Sequence, residues 1–334
     1  MRYWLVRLSV ILSLVALMAT GTRAQGAGVI EGQVLNATLD GVPVPEMPVT
    51  LWMLDGQVQK AMLEETADEE GRVRFQGLDT QGYSYQLQVE HQGVSYWSDV
   101  VAFSQGQNLL SVPLTVYEAT ASDAYLSVER AHLILDFQPR SILVQEVQIL
   151  RNSGDRTYIG SRGNKGGVTI RFPLPQGAVE LQWMEEWMAS SVVQTESGFA
   201  YTEPILPGIQ EFFFSYKLIY QSTRYTFSRE ITYPIRYLDV VVADAGVRVT
   251  GSGLIAQEPL SLQGRRYLHL TGQSLAPADR LTLSLDNLPL ETGPTEPSTT
   301  PPGVFARVVM VLGTLAVLLA LGYPFLKPHR EKEG

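Results

Sequence analysis

Between Gly28 and Glu118 large apolar side chains return at every second position. Tyr83, Tyr85, Leu87 and Val89 alternate with Ser84, Gln86, Gln88 and Glu90, and Val73 and Phe75 alternate with Arg72, Arg74 and Gln76. A period of two puts one set of side chains on each face of an extended chain, so each run predicts a half-buried strand. Asp40-Gly41, Asp55-Gly56, Glu70-Gly71 and Gln92-Gly93 separate the runs, and glycine supplies the backbone conformation that tight turns need. About seven short strands fit into this stretch, the pattern of a small sandwich.

The alternation resumes beyond residue 124. Phe212, Phe214, Tyr216, Leu218 and Tyr220 share one face of a long run; Val168, Ile170, Phe172 and Leu174 share another, and Leu281, Leu283 and Leu285 a third. Roughly eight to ten strands in a larger sandwich are expected over 124–288. Away from the two ends, no helical period lasts beyond about ten residues. The small, polar segment Ala119 to Asp123 reads as the joint between domains. The expected fold class is therefore all-β: two β-sandwich domains in tandem, over 28–118 and 124–288, plus one C-terminal transmembrane helix.

That helix is expected over 308–326, which is 19 positions without a charge. At about 1.5 Å per residue it covers roughly 28 Å, close to a hydrocarbon core. Lys327, His329, Arg330 and Lys332 follow at once. By the positive-inside rule the 327–334 tail is cytoplasmic and residues 25–303 lie outside, a single-pass type I topology in a cell membrane. At the other end, residues 1–24 read as a signal peptide, with Arg2 and Arg7 before an apolar run of 12 from Leu8 to Ala19. The segment 289–303 is rich in proline and threonine and is expected to be an extended stalk. Leu288-Pro289-Leu290-Glu291-Thr292-Gly293 resembles a sortase sorting motif with one residue too many, and we read the likeness as chance and the helix as retained.

Charge sharpens this division. The first 24 residues carry +3 and the last 31 carry +2, so a total of −9 leaves −14 between them. An acidic ectodomain repels phosphate backbones, which argues against nucleic acid as a partner. The chain contains no cysteine, which excludes disulfides, thiolate metal sites and cysteine nucleophiles.

Val29-Ile30-Glu31-Gly32-Gln33-Val34, Pro48-Val49-Thr50-Leu51, the run Glu65 to Phe75 and Tyr83-Ser84-Tyr85 together resemble the carboxypeptidase regulatory-like domain. That family is similar to transthyretin and to the B-type repeats of collagen adhesins. The resemblance covers 28–118 and implies a non-catalytic seven-stranded sandwich used for stability, spacing or binding, with a carbohydrate-binding-like fold. Adhesin repeats often carry an isopeptide lysine on the first strand. Lys60, the domain's one lysine, lies outside that strand, so no such bond is expected.

Several clusters bear on chemistry. Trp183-Met184-Glu185-Glu186-Trp187 sets two acids between two tryptophans, a composition that suits sugars. In a continuous strand Glu185 and Glu186 would point to opposite faces while Trp183 and Trp187 share one. Arg162, Asn164 and Lys165 lie in a glycine-rich basic loop that lacks the P-loop spacing; as a cationic loop on an acidic body it is the first choice for a partner contact. Tyr96 and Trp97 are adjacent, so one of them faces solvent. A coplanar aromatic row there favours sugar, and a plain polar face favours protein. The acids Glu64, Glu65, Asp68, Glu69 and Glu70 lack the EF-hand spacing and read as a solvated turn. His132 and His269 show no metal-ligand spacing. No catalytic residue, cofactor site or metal site is assigned.

The sequence thus points to a non-enzymatic, membrane-anchored extracytoplasmic binding or scaffold protein. One form is an accessory component of a cell-envelope complex with a protein partner. The other is a receptor for surface carbohydrate or cell-wall polymer. A glycan hydrolase is the third reading, and it needs two carboxylates facing one cleft roughly 5–9.5 Å apart.

Overall fold

The computed structural model describes residues 28–160, 167–184, 186–262 and 264–290. Their regular structure is almost all strand, and the chain divides into two compact units between Val116 and Tyr117.

The first unit contains β1 (Gly28–Asn36), β2 (Val42–Pro43), β3 (Pro48–Asp55), β4 (Val58–Thr66), β5 (Arg72–Leu78), β6 (Ser84–His91), β7 (Val94–Trp97) and β8 (Leu109–Val116). One sheet is built on β1. β8 runs parallel along one side of it from Val29 to Asn36, while β5 and then β2 take the other side antiparallel. The second sheet has the order β4-β3-β6-β7, antiparallel throughout. Ile30, Val34, Val73 and Phe75 of the first sheet and Leu51, Tyr85, Leu87 and Val89 of the second are all buried. Gly32 marks how closely the two sheets approach: a Cβ there would stand 2.8 Å from side-chain atoms of Leu87 and of Val73. Each run of alternation became a strand because apolar side chains on one face of a pleated strand reach a core that faces them.

β4 differs. All nine of its residues are exposed, since it overhangs the edge of the core. The acidic run crosses from this strand into a turn. There Asp68 Oδ1 accepts hydrogen bonds from the backbone N–H groups of Glu70 (3.0 Å) and Arg72 (2.7 Å). Gly71 follows at φ +70°, where a Cβ would meet the Val34 carbonyl oxygen at 2.7 Å, so the turn requires glycine.

The second unit contains β9 (Ala119–Thr120), β10 (Leu126–Gln138), β11 (Ser141–Asn152), β12 (Thr157–Tyr158), β13 (Ile170–Pro173), β14 (Ala178–Trp183), α1 (Glu186–Ser190), β15 (Val192–Thr195), β16 (Gly198–Tyr201), β17 (Gly208–Ile219), β18 (Arg224–Glu230), β19 (Ile235–Ala243), β20 (Arg248–Gly251), β21 (Ile255–Leu262), β22 (Arg265–Leu275) and β23 (Arg280–Asp286). Its main sheet has seven strands in the order β14-β17-β11-β10-β19-β22-β21, with β10 and β19 parallel and the other pairs antiparallel. Two smaller sheets, β13-β16-β15 and β18-β23-β20, share one core with it. Phe172 stacks on Phe199 at 4.7 Å and meets Phe212 and Phe214 of β17 at 4.9 and 5.6 Å. Phe227, Leu281, Leu283 and Leu285 enter the same core from the other small sheet.

A buried polar group interrupts that core. Arg229 Nη1 lies 2.8 Å from Glu146 Oε2, with both side chains almost fully enclosed. Tyr216 donates its hydroxyl to Glu146 Oε1 at 2.7 Å, and Gln148 donates to Oε2 at 3.0 Å. Burial, reinforced by the neighbouring carboxylate, holds the Tyr216 hydroxyl well above the usual phenol range. A buried carboxylate survives in a low dielectric only when its lone pairs are used in this way.

Three expectations need correction. The span 124–288 has fourteen strands among the described residues rather than roughly eight to ten, because β12, β15, β16 and β20 are too short for alternation to be legible. The run from Trp183 to Trp187 is not one strand: β14 ends at Trp183 and α1 begins at Glu186, so the two tryptophans share no strand face. Ala119 and Thr120, read as part of a joint, form β9 and pair with β12.

Pro289 and Leu290, assigned to the stalk, are held by the second unit. Tyr220 donates to the Pro289 carbonyl and Leu290 packs on the core. No helix among the described residues is long and apolar enough to cross a membrane. The signal peptide (1–24), the remainder of the stalk (291–303), the 308–326 span and the tail lie outside the described residues.

Candidate ligand-binding face of the first unit

Tyr96 and Trp97 take opposite faces of β7. Tyr96 is buried in the core and Trp97 is 48% exposed. Strand register decides what stands beside it. Trp97 lies opposite Gln88 of β6, while Trp52 of β3 lies opposite Gln86 of β6 and Met62 of β4. The two indoles therefore lie diagonally across β6 on the outer face, with ring centroids 6.1 Å apart and planes tilted by 33°.

A hydrogen bond fixes one member of this pair. Trp52 Nε1–H donates to Gln88 Oε1 at 2.7 Å, and the Gln88 amide is directed at Ser95 Oγ at 3.4 Å. Gln86 Nε2 donates to the Ser98 carbonyl at 2.8 Å. The Trp52 ring is thus held before any ligand arrives, and preorganisation lowers the entropic cost of binding. The result is a shallow aromatic cradle rather than a coplanar row, flanked by exposed Met62 and two glutamine amides. It offers apolar π-faces and hydrogen-bonding edges.

Of the other sequence candidates, the structure describes the side chain of Trp183 alone. Trp183 lies in the second unit, in edge-to-face contact with Phe199 at 4.4 Å. It lines a cleft of about 1250 Å³ together with Leu181, Val193, Phe199 and Tyr225. Arg162, Asn164 and Lys165 lie outside the described residues, as does Glu185, and the side chains of Glu186 and Trp187 are likewise not described. Trp52 was not singled out from the sequence, although its alternation with Leu51 and Met53 marked it as outward-facing.

A second polar cluster on the main sheet also escaped sequence reasoning. His132, on β10, pairs in register with Asp239 on β19, and His269 on β22 reaches the same carboxylate. His269 Nε2 stands 3.0 Å from Asp239 Oδ1, and Arg130 Nη1 is 3.3 Å from Oδ2. Arg130 and Arg236 also lie over the Tyr237 ring at 5.5 and 5.2 Å. Burial outweighs the attraction of Asp239 and pushes the His132 imidazole down to about 4. His132 is therefore neutral near pH 7, and Arg130 carries the compensating charge. No group of three or more metal-ligating side chains is present among the described residues.

No family model matches this chain, and no curated protein matches it. Among solved structures, a candidate carbohydrate-binding protein of Pseudomonas aeruginosa is similar at 19% identity, over 29% of this chain and 92% of that one, with a TM-score of 0.20. A single B repeat unit of the collagen-binding surface protein of Staphylococcus aureus is similar at 12% identity, over 54% and 97%, with a TM-score of 0.20. The major pilin of Corynebacterium diphtheriae is similar at 9% identity, over 83% and 66%, with a TM-score of 0.19. At such scores neither a shared fold nor a shared ligand follows, and function must be read from the geometry.

Proposed function

We propose that this chain is a non-catalytic binding protein, displayed on the extracytoplasmic side of a membrane by the 308–326 segment, and that its first unit holds a glycan between Trp52 and Trp97. The observation that carries this reading is the indole pair on an outer sheet face, with Trp97 48% exposed although tryptophan is ordinarily enclosed. A pyranose ring with equatorial hydroxyls presents flat C–H faces that pack on indole, and its hydroxyls suit the Gln86 and Gln88 amides. The 33° tilt fits a twisted, soluble polysaccharide chain better than a flat crystalline surface. The scaffold reading, in which the chain serves a protein complex of the envelope, draws its support from the cleft of the second unit.

The test titrates the full chain in detergent with cellohexaose and, separately, chitohexaose, following tryptophan fluorescence. Saturable quenching by at least one of them is expected, weakened about tenfold or more by Trp97→Ala. An unchanged affinity in that variant, or no response to either sugar up to about 1 mM, refutes the glycan reading. The anchor is tested separately: alkaline carbonate washing should leave the chain in the membrane pellet.

A further inference from the structure

The cleft in the second unit is bordered by strands that lack a neighbour on one side. β15 ends the order β13-β16-β15, β18 ends the order β18-β23-β20, and β14 ends the main sheet. All three contribute to the cleft wall.

Hydrogen-bond phase shows which backbone groups face the open side. The Thr202 N–H donates to the Ser191 carbonyl at 2.9 Å, just beyond the pairs Val192↔Tyr201 and Val193↔Ala200. In an antiparallel ladder, bonded and non-bonded pairs alternate. Val193 and Thr195 therefore bond to β16, and the N–H groups of Val192 and Gln194 point away from it. The Ile231 N–H donates to the Asp279 carbonyl at 2.9 Å, one pair beyond Glu230↔Arg280. By the same rule Tyr225, Phe227 and Arg229 bond to β23, while the N–H groups of Thr226, Ser228 and Glu230 point away. None of these five donors has a protein partner among the described residues. The accessible apolar part of the wall includes Leu181, Trp183 and Val193.

From these edges we infer that the cleft is an acceptor for an extended strand of a partner protein, which adds to the free side of β18 and lays alternate apolar side chains on Trp183, Leu181 and Val193. A run of backbone donors repeating at every second residue is matched by another extended backbone, since its carbonyls repeat at the same spacing. At about 1250 Å³ the cleft also exceeds the roughly 300–1,000 Å³ of a small-molecule pocket. Of the exposed charges on its rim, Glu180, Glu196 and Glu230 outnumber Arg280, so the incoming strand is one that carries lysine or arginine at its ends.

The probe is a dye-labelled peptide, Lys-Val-Thr-Val-Thr-Val-Thr-Lys, titrated into the full chain in detergent and read by fluorescence anisotropy. Saturable binding is expected, weakened about tenfold or more by Thr226→Pro and by Ser228→Pro, because proline removes an outward N–H without breaking a bond to β23. A peptide N-methylated at alternate residues should not bind. In the unmodified chain, amide exchange at Thr226, Ser228 and Glu230 should slow when the peptide is present, a readout that does not depend on either proline variant folding. Cellohexaose binding should be unaffected by the peptide, which separates this site from the tryptophan face. The inference is overturned by no binding up to about 1 mM, by equal binding of the methylated peptide, or by amide exchange that the peptide leaves unchanged.

Discussion

His132 faces Asp239 across the parallel pairing of β10 and β19, its Nδ1 3.4 Å from the carboxylate Oδ2 and without the geometry of a hydrogen bond. The imidazole is 1% exposed. Even beside a carboxylate, its desolvation dominates, and the folded protein takes up this proton only near pH 4 against 6.5 for a free imidazole. The unfolded chain therefore binds more protons between these values. Stability from this group is complete above about pH 6.5 and is lost as the pH falls towards about 4, by on the order of 3 kcal/mol in total. Urea unfolding at pH 7.5, 5.5 and 4.5 should show this decline, and His132→Phe should flatten it. A wild-type midpoint that stays constant across that window would contradict the assignment.

Glu146 and Arg229 form a pair in which either partner alone is worse than neither. Arg229→Met should cost about 3–5 kcal/mol, since it leaves a carboxylate buried without its cation. The double variant Glu146→Met, Arg229→Met should regain most of that loss. A double-mutant cycle by chemical denaturation measures the coupling, and purely additive losses would show the pair to be uncoupled.

Gln88 orients Trp52 through one hydrogen bond. Gln88→Leu should change stability by only about 1 kcal/mol while releasing the indole. The expected signature is a several-fold weaker response to the sugar that binds the wild type, with the melting temperature nearly unchanged. Equal affinity in the variant would mean that ring orientation contributes nothing.

Phe172 joins β13 to β17 through its contacts with Phe199, Phe212 and Phe214. Phe172→Ala should destabilise the second unit by about 3–5 kcal/mol. Near-ultraviolet circular dichroism during urea unfolding would follow the loss of this aromatic packing.

The all-β character was legible because alternation is a local property: Tyr85, Leu87 and Val89 announce their inward face without knowledge of any partner. The same rule placed one of Tyr96 and Trp97 outside. Association across the sheet was not legible. Trp52 meets Trp97 only because β3 and β7 both flank β6, and nothing in the neighbourhood of residue 52 encodes that. Asp239 was missed for the same reason, being brought to His132 by a pairing of strands remote in sequence. The break between Trp183 and α1 went unseen because a single helical turn leaves no periodic signal. The cleft escaped as well, since it consists of strand edges left without neighbours.

The central pairing of β10 with β19 sets an order of events during synthesis. Arg130 and Asp239 meet at a separation of 109 residues, and contacts so remote must await the emergence of both strands and bear the entropy of closing the loop between them. Every strand of the first unit is present once Val116 has appeared. The hairpin of β10 and β11 must instead wait, the outer edge of β10 unpaired, while the chain from Asn152 to Ile235 is made. A chaperone that shelters nascent chains would therefore find its main client in the interval between these two strands, and translational pausing there should raise aggregation more than pausing anywhere in the first unit.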